Sequence, residues 1–254
     1  MGSLKSKLVL VTGGGQGLGH AITEHLIEAG ANVAIHYFSS EQGARELQNR
    51  ARKSGLKAEV FRADLTRPLE AESLVNKAAE SLGGLDILIN NAGDLVERRS
   101  IQDLDETFWQ RTMDINVTSM TFVTRAAVPW LARARDGASI VNLASLAGRK
   151  GGHPGSLAYA TAKGANLTWT RALAIELAPN GIRVNALAPG FILGTRFHAT
   201  HTTQASAEAT VKQIPLGRAG TPADIARAAL FLASEYDGFI TGATLDINGG
   251  VYCA

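Results

Sequence analysis

Tyr159 and Lys163 stand four residues apart in the run Leu157 to Ala178, which reads as one long helix. Positions four apart share a helix face one turn from each other, so a phenol and an ammonium project into the same pocket. A free tyrosine, with a pKa of about 10, exchanges its proton poorly near neutral pH. A cation about 4 Å away, at an effective dielectric near 20, favours the phenolate by roughly 4 kcal/mol, which lowers the tyrosine pKa by roughly three units. The pair is an acid/base device if the rest of the chain supplies a site for it. Without such a site it is two polar residues on a helix surface.

The elements that would build the site alternate along the chain. Leu8-Val-Leu-Val11 is a short apolar run of the kind buried on both faces of a parallel sheet. Thr12-Gly13-Gly14-Gly15-Gln16-Gly17-Leu18-Gly19 follows and opens an apolar-periodic segment through Ala21, Ile22, Leu26 and Ile27 that stops at Gly30. In this order of strand, glycine loop and helix, the glycines let the backbone approach a pyrophosphate and the helix-start N–H groups face its charge. Strands are then predicted at Val33–Tyr37, Ala58–Ala63, Leu85–Ile89, Ala138–Leu143, Arg183–Leu187 and Thr244–Ile247. Helices are predicted at Glu41–Lys53, Leu69–Leu82, across Asp103–Trp130 in one piece or two, and from Thr221-Pro222-Ala223-Asp224 onward. Strands alternating with helices give an α/β fold, a doubly wound Rossmann domain whose parallel sheet of seven strands carries helices on both faces. Ligands of such sheets bind at the strand carboxyl ends, where Asn90-Asn91-Ala92-Gly93, Ala144-Ser145 and Pro189-Gly190 fall. Residues 191–215 have no secure period, and long irregular segments of this kind are often substrate lids.

Composition narrows the classes. Hydrophobic residues at 45% and charged residues at 19% fit a soluble globular protein, and 254 residues fit one such domain over 1–254. With 25 basic against 23 acidic residues and no basic run, nucleic acid is not an expected partner. No segment is apolar for long enough to span a membrane, and the single Cys253 allows no disulfide within the chain, so a cytoplasmic location is expected.

This ordered set, Thr12 to Gly19, Asp64, Asn90 to Gly93, Asn116, Ser145, Tyr159, Lys163, Pro189-Gly190 and Asn248-Gly249-Gly250, resembles the short-chain dehydrogenase/reductase family over essentially the full chain. Within the family it is most similar to 3-oxoacyl-carrier-protein reductases and to sugar or polyol dehydrogenases. The resemblance implies that Tyr159 is the general acid/base, that Ser145 holds the substrate oxygen, that Lys163 lowers the tyrosine pKa and binds the nicotinamide ribose, and that Asn116 supports a proton-relay water. It also implies a dinucleotide site lined by Gly13, Gly15, Gln16, Gly17, Leu18, Gly19, Ser39, Asp64, Leu65, Asn91, Ala92, Gly93, Tyr159, Lys163, Pro189, Gly190 and Ile192. A homotetramer is expected on the same ground, with one interface on the Tyr159 helix through Ala165, Leu173 and Leu177 and another at the C-terminal end. The interval from Ser145 to Tyr159 is one residue longer than is common in the family. The extra residue falls in Gly148-Arg-Lys-Gly-Gly-His-Pro-Gly155, a flexible loop, where it would reshape the substrate rim.

The implied reaction is hydride transfer between a nicotinamide and a carbonyl or secondary alcohol, most naturally a 3-oxoacyl thioester or a sugar or polyol. The alternative is a non-catalytic dinucleotide-binding regulator on the same fold, which would have no need of Ser145, Tyr159 and Lys163 together. For the cofactor, NAD-selective folds place a carboxylate at the end of the second strand, where this chain has Tyr37 in His36-Tyr37-Phe38-Ser39-Ser40. Without that repulsive charge, and with Ser39 and Ser40 as donors, NADP(H) is expected to be preferred without excluding NAD(H).

Other candidates carry less. His198 and His201 could share a helix face, but no third ligand with recognised spacing completes a site, so no metal is expected. Glu97, Arg98, Arg99, Arg149 and Lys150 read either as solvated charged loops or as a pocket rim that favours an anionic or phosphorylated substrate.

Overall fold

The computed structural model of the protein describes residues 4–195, 200, 202–234 and 238–253. Seven strands form one parallel sheet: β1 (Leu8–Val11), β2 (Asn32–Tyr37), β3 (Ala58–Arg62), β4 (Ile87–Asn90), β5 (Ala138–Leu143), β6 (Ile182–Pro189) and β7 (Thr244–Ile247), in the order β3-β2-β1-β4-β5-β6-β7. Val9 pairs with Val33 on one side and with Ile87 on the other, so β1 lies at the centre. The chain winds outward from β1 to β3, crosses back to β4 and winds the other way. That reversal opens a crevice between the carboxyl ends of β1 and β4.

Side-chain alternation on the central strand divides the core. Val9 and Val11 face a layer built with Ile22, Leu26, Leu47 and Ile225, from α1 (Gly17–Glu28), α2 (Glu41–Lys53) and the last long helix. Leu10 faces the opposite layer with Leu74, Val123, Leu131 and Leu177, from α3 (Pro68–Leu82), α5 (Ser119–Leu131) and α7 (Leu157–Leu177). Both layers are almost fully buried, which is why β1 reads as a continuous apolar run.

Most expected boundaries hold within two residues, and the departures have local causes. β6 runs on to Pro189 because Ala186–Pro189 pair with Thr244–Ile247. The Asp103–Trp130 stretch is α4 (Glu106–Met113), a π-helical turn at Asp114–Thr118, and α5. The loop expected from Gly148 starts as a short helix, α6 (Leu146–Lys150), which Ser145 caps and Gly151 closes in the left-handed conformation. Part of the irregular stretch after Phe191 is helical: α8 (Gln204–Val211) is capped by Thr203. The expected start at Thr221 opens α9 (Pro222–Ala233) with a complete capping box to Asp224. Of the residues expected at an interface on α7, Leu177 is buried in the core and Leu173 packs against it, whereas Ile175 is 79% exposed. His198 and His201 lie outside the described residues. Among the described residues no group of three potential metal ligands forms, and no helix is long and apolar enough to cross a membrane.

Candidate active site

One cavity of about 1340 Å³ runs along the carboxyl ends of the strands. Its volume exceeds the roughly 300–1,000 Å³ usual for a small ligand. Its floor is the glycine loop. Asn91, at the end of β4, donates its Nδ2 to the carbonyls of Thr12 (2.9 Å) and Gly13 (3.1 Å), while the Thr12 hydroxyl accepts from the N–H groups of Asn91 and Ala92, both at 3.0 Å. A Cβ on Gly19 would lie 2.2 Å from the Gly13 carbonyl oxygen and 2.4 Å from Asn91 Nδ2, so no other residue fits where α1 meets this clasp.

His36 adds a tie that the sequence did not reveal. The Gly13 N–H donates to its Nδ1 at 3.0 Å, and its Nε2 lies 3.1 Å from the Ala63 carbonyl, which accepts only from a protonated Nε2. The ring is therefore neutral, and burial lowers its pKa from 6.5 to about 4. It joins the glycine loop, β2 and the approach to Asp64 in one contact.

Of the expected site residues, Gly13, Gln16, Gly17, Leu18, Ser39, Asp64, Leu65, Asn91, Ala92, Gly93, Ser145, Tyr159, Lys163, Pro189, Gly190 and Ile192 all line this cavity. Gly15, Gly19 and Asn116 do not. Gly15 packs against Ser40, where a Cβ would meet the Ser40 carbonyl oxygen at 2.3 Å. Asn116 is buried behind the wall, at the π-helical turn. Its Nδ2 donates to the Asp94 carbonyl (2.7 Å) and its Oδ1 accepts from the Asp94 N–H (3.1 Å), so it fixes the loop that follows β4. Its own carbonyl accepts from Asn166 Nδ2 at 3.1 Å, the end of a buried chain of hydrogen bonds from Asn90 through Asn142 and Thr170 to Asn166. Tyr37, expected beside the ribose, is buried in the core and turned toward Glu41, so Phe38, Ser39 and Ser40 form the cavity edge there. Arg62, which sequence reasoning missed, stands 6.0 Å from the Phe38 ring centroid and donates Nε to the Phe38 carbonyl.

Chemistry is concentrated where β5 ends. Ser145 caps α6 by accepting from the Ala147 N–H at 3.1 Å, and its side chain acts on the Tyr159 phenol in the first turns of α7. The two helices touch backbone to backbone: a Cβ on Gly148 would lie 2.6 Å from the Lys163 carbonyl carbon and 2.7 Å from Gly164 N. That approach sets how closely α6 and α7 pack. Lys163 is buried, and its Nζ lies 5.7 Å from the Tyr159 ring centroid while donating to the Leu143 carbonyl at 2.8 Å.

The electrostatics depart from the expected lowering of the tyrosine pKa. Burial raises Tyr159 to about 12; the Ser145 hydrogen bond opposes the rise, and the negative charge of Asp94 adds to it. Burial also lowers Lys163 to about 8. The ammonium is directed at a carbonyl rather than at the phenolic oxygen, and desolvation disfavours the charged form of both groups. Tyr159 is thus held protonated beside Ser145. His36, Arg62 and Asp94 were not identified from sequence, since each matters through a neighbour that only the fold supplies.

Comparison with known proteins accords with this geometry. A family model described as enoyl-(acyl carrier protein) reductase matches residues 13–252. A 3-oxoacyl-[acyl-carrier-protein] reductase of Chlamydia pneumoniae is 38% identical over 251 residues, covering 98% of each chain. Among solved structures, a 7α-hydroxysteroid dehydrogenase complexed with NADH and 7-oxo glycochenodeoxycholic acid superposes with a TM-score of 0.91 at 30% identity, covering 97% of this chain and 94% of its own. A short chain dehydrogenase from Burkholderia cenocepacia in complex with NADP gives 0.90 at 32% identity, covering 98% and 99%. With the strand order, the glycine loop and the Ser145, Tyr159 and Lys163 cluster in place, the chain belongs to the short-chain dehydrogenase/reductase family of oxidoreductases.

Proposed function

We propose that the protein is an NAD(P)-dependent oxidoreductase that interconverts a carbonyl and a secondary alcohol. The observation that carries the reading is that Ser145, Tyr159 and the buried Lys163 meet on the cavity that the glycine loop floors, with the Ser145 side chain acting on the Tyr159 phenol. That cavity suits a dinucleotide: the glycine loop presents Gly13 and Gly17 to it as bare backbone, and the length along the strand ends accommodates a ligand of that size beside a small substrate. When bound, the dinucleotide supplies or takes up the hydride. Tyr159 gives the proton to the carbonyl oxygen, and Ser145 holds that oxygen and stabilises its developing charge. Lys163 holds the nicotinamide ribose; Asn116 keeps the Asp94 loop in place and supports proton return through water. Residues 191–215 act as the lid. A regulator with no reaction to catalyse would have no use for these three residues together.

NADP(H) is the preferred cofactor in this reading. No carboxylate lines the cavity among Phe38, Ser39 and Ser40, and the Arg62 guanidinium adds a positive charge beside them. Substrates are 3-oxoacyl thioesters or sugars and polyols, and the protein works as a homotetramer. Oxidation of NADPH and NADH is to be followed across 3-oxoacyl thioesters, ketoses and small diketones. Turnover of at least one class is expected, and none at all would overturn the enzyme reading. A tenfold or larger preference for NADH would overturn the cofactor assignment, and a monomer mass by light scattering at micromolar concentration the tetramer.

A further inference from the structure

Two pairs of adjacent cations flank the mouth of the cavity, and within each pair the residues are treated differently. In the first, Arg99 is neutralised: it pairs with Glu97 at 3.2 Å and with Asp105 at 2.6 Å, and its guanidinium lies 4.4 Å from the Phe108 ring centroid. In the second, Arg149 makes a two-pronged pair with Asp246 of β7, at 3.1 and 2.9 Å, with Tyr252 stacked alongside. Their neighbours Arg98 and Lys150 line the cavity instead. Among the described residues neither has a carboxylate within 4.0 Å, and Arg98 makes only a hydrogen bond to the Pro154 carbonyl. The two loops are locked together where the Arg99 N–H donates to the Gly155 carbonyl at 2.9 Å, and His153 lines the cavity between them.

We propose that Arg98 and Lys150, with His153 beside them, form an anion subsite that receives a carboxylate or phosphate group set several bonds away from the carbonyl engaged by Ser145 and Tyr159. The inference rests on the carbonyl-reducing reading above and adds to its substrate classes carbonyl compounds that carry an anionic group, such as oxo acids or phosphorylated ketones. Geometry fixes the spacing: Ser145 caps α6 and Lys150 ends it, so five residues at about 1.5 Å each separate them along the axis. Charge fixes the direction. Asp94 is the carboxylate that acts on Tyr159 and repels an anion from the reacting end, so the charged end of the substrate points outward to the two cations. Arg149 and Arg99 hold the loops still, which leaves Lys150 and Arg98 to read the ligand.

The test compares matched acids and esters. With NADPH or NADH present, 4-oxopentanoate, 5-oxohexanoate and 6-oxoheptanoate are assayed against their methyl esters, and dihydroxyacetone phosphate against dihydroxyacetone, with 2,3-butanedione as a neutral carbonyl. Wild type should favour the best anion over its neutral partner by about tenfold in kcat/KM, carried mainly by KM. The ratio should fall in about 1 M salt, where the screening length is about 3 Å. Lys150→Gln and Arg98→Gln should each reduce the ratio about three- to fivefold, the scale of an exposed charge pair, while Lys150→Arg retains it. Which family of pairs shows the ratio tells carboxylate from phosphate. If butanedione or the esters are reduced but no anion is favoured, the subsite is wrong and the reductase reading stands. If no carbonyl is reduced, the reductase reading falls and calorimetric titration with glutarate decides the subsite: binding lost in Lys150→Gln supports it, and no binding to wild type overturns it.

Discussion

The floor and the mouth of the same cavity are built by different physics. The floor is backbone held by buried hydrogen bonds: Thr12, Asn91 and His36 each bind main-chain groups of the glycine loop or of the strand ends beside it. The mouth is made of loops between charged side chains, fixed by the Arg99 and Arg149 ion pairs and otherwise open to water. A buried polar group that loses its partner costs the full desolvation of that group, whereas an exposed charge that loses its partner is rehydrated. Substitutions should therefore act on the floor almost as a switch and on the mouth by degrees.

The sharpest contrast comes from the point where the two regions meet. Tyr159→Phe removes the phenolic oxygen and leaves the ring, the helix and the dinucleotide crevice in place. Turnover should fall by about 10² or more, the usual scale for a positioned proton donor, with the dinucleotide dissociation constant within a few-fold of wild type. Retention of more than about a tenth of the turnover would show that Tyr159 is not the acid. Alcohol oxidation needs the tyrosine deprotonated, and burial holds its pKa above the ordinary value, so that rate should climb with pH above neutrality and the climb should vanish in the variant.

His36 tests the floor through protons alone. Its pKa is about 4 in the folded chain against 6.5 unfolded, so between these values the unfolded state binds more protons and stability rises with pH. The contribution is fully present above pH 6.5 and is lost as pH falls toward 4. The difference of 2.5 units corresponds to about 3 kcal/mol. Urea unfolding at pH 7 and at pH 4 should show wild type losing that much more than His36→Asn does. Equal losses in the two proteins would mean that the imidazole is not the neutral bridge described here.

The same division explains what could be read from the sequence. The floor was legible because it is local: a strand, a glycine loop and a helix in that order, and Asn91 directly after a strand, carry their geometry in sequence spacing. Tyr159 and Lys163 were legible because one helix carries both. Their electrostatics were not, because the direction of Lys163 Nζ depends on the Leu143 carbonyl, twenty residues away, and the extent of burial depends on how α6 and α7 pack. Tyr37 was misplaced for a similar reason, since strand alternation and the position of α2 turn it inward and bring Phe38 to the cavity. At the mouth, sequence showed two charged doublets but not which member of each would find a carboxylate, because Asp246 lies 97 residues from Arg149.

The smallest effect should come from the mouth's own anchor. Arg149 and Asp246 are each only 16% exposed in their side chains, and the guanidinium engages both carboxylate oxygens. Lysine keeps the charge but replaces the planar fork with a single point donor, so Arg149→Lys should lose one charge-assisted hydrogen bond and the stacking on Tyr252. In this half-buried setting the cost should be about 1–2 kcal/mol, or a melting-temperature drop of several degrees at this chain length. The change should also reach the chemistry. Arg149 lies on the short helix that Ser145 caps, so loosening its far end should disturb Ser145 more than Tyr159, which α7 holds separately. We expect kcat to fall about two- to fivefold with the dinucleotide dissociation constant unchanged, and Asp246→Asn to do the same from the other side of the pair. A fall in melting temperature with no change in kcat would confine the pair to a structural role and leave Ser145 positioned by the Gly148 contact alone.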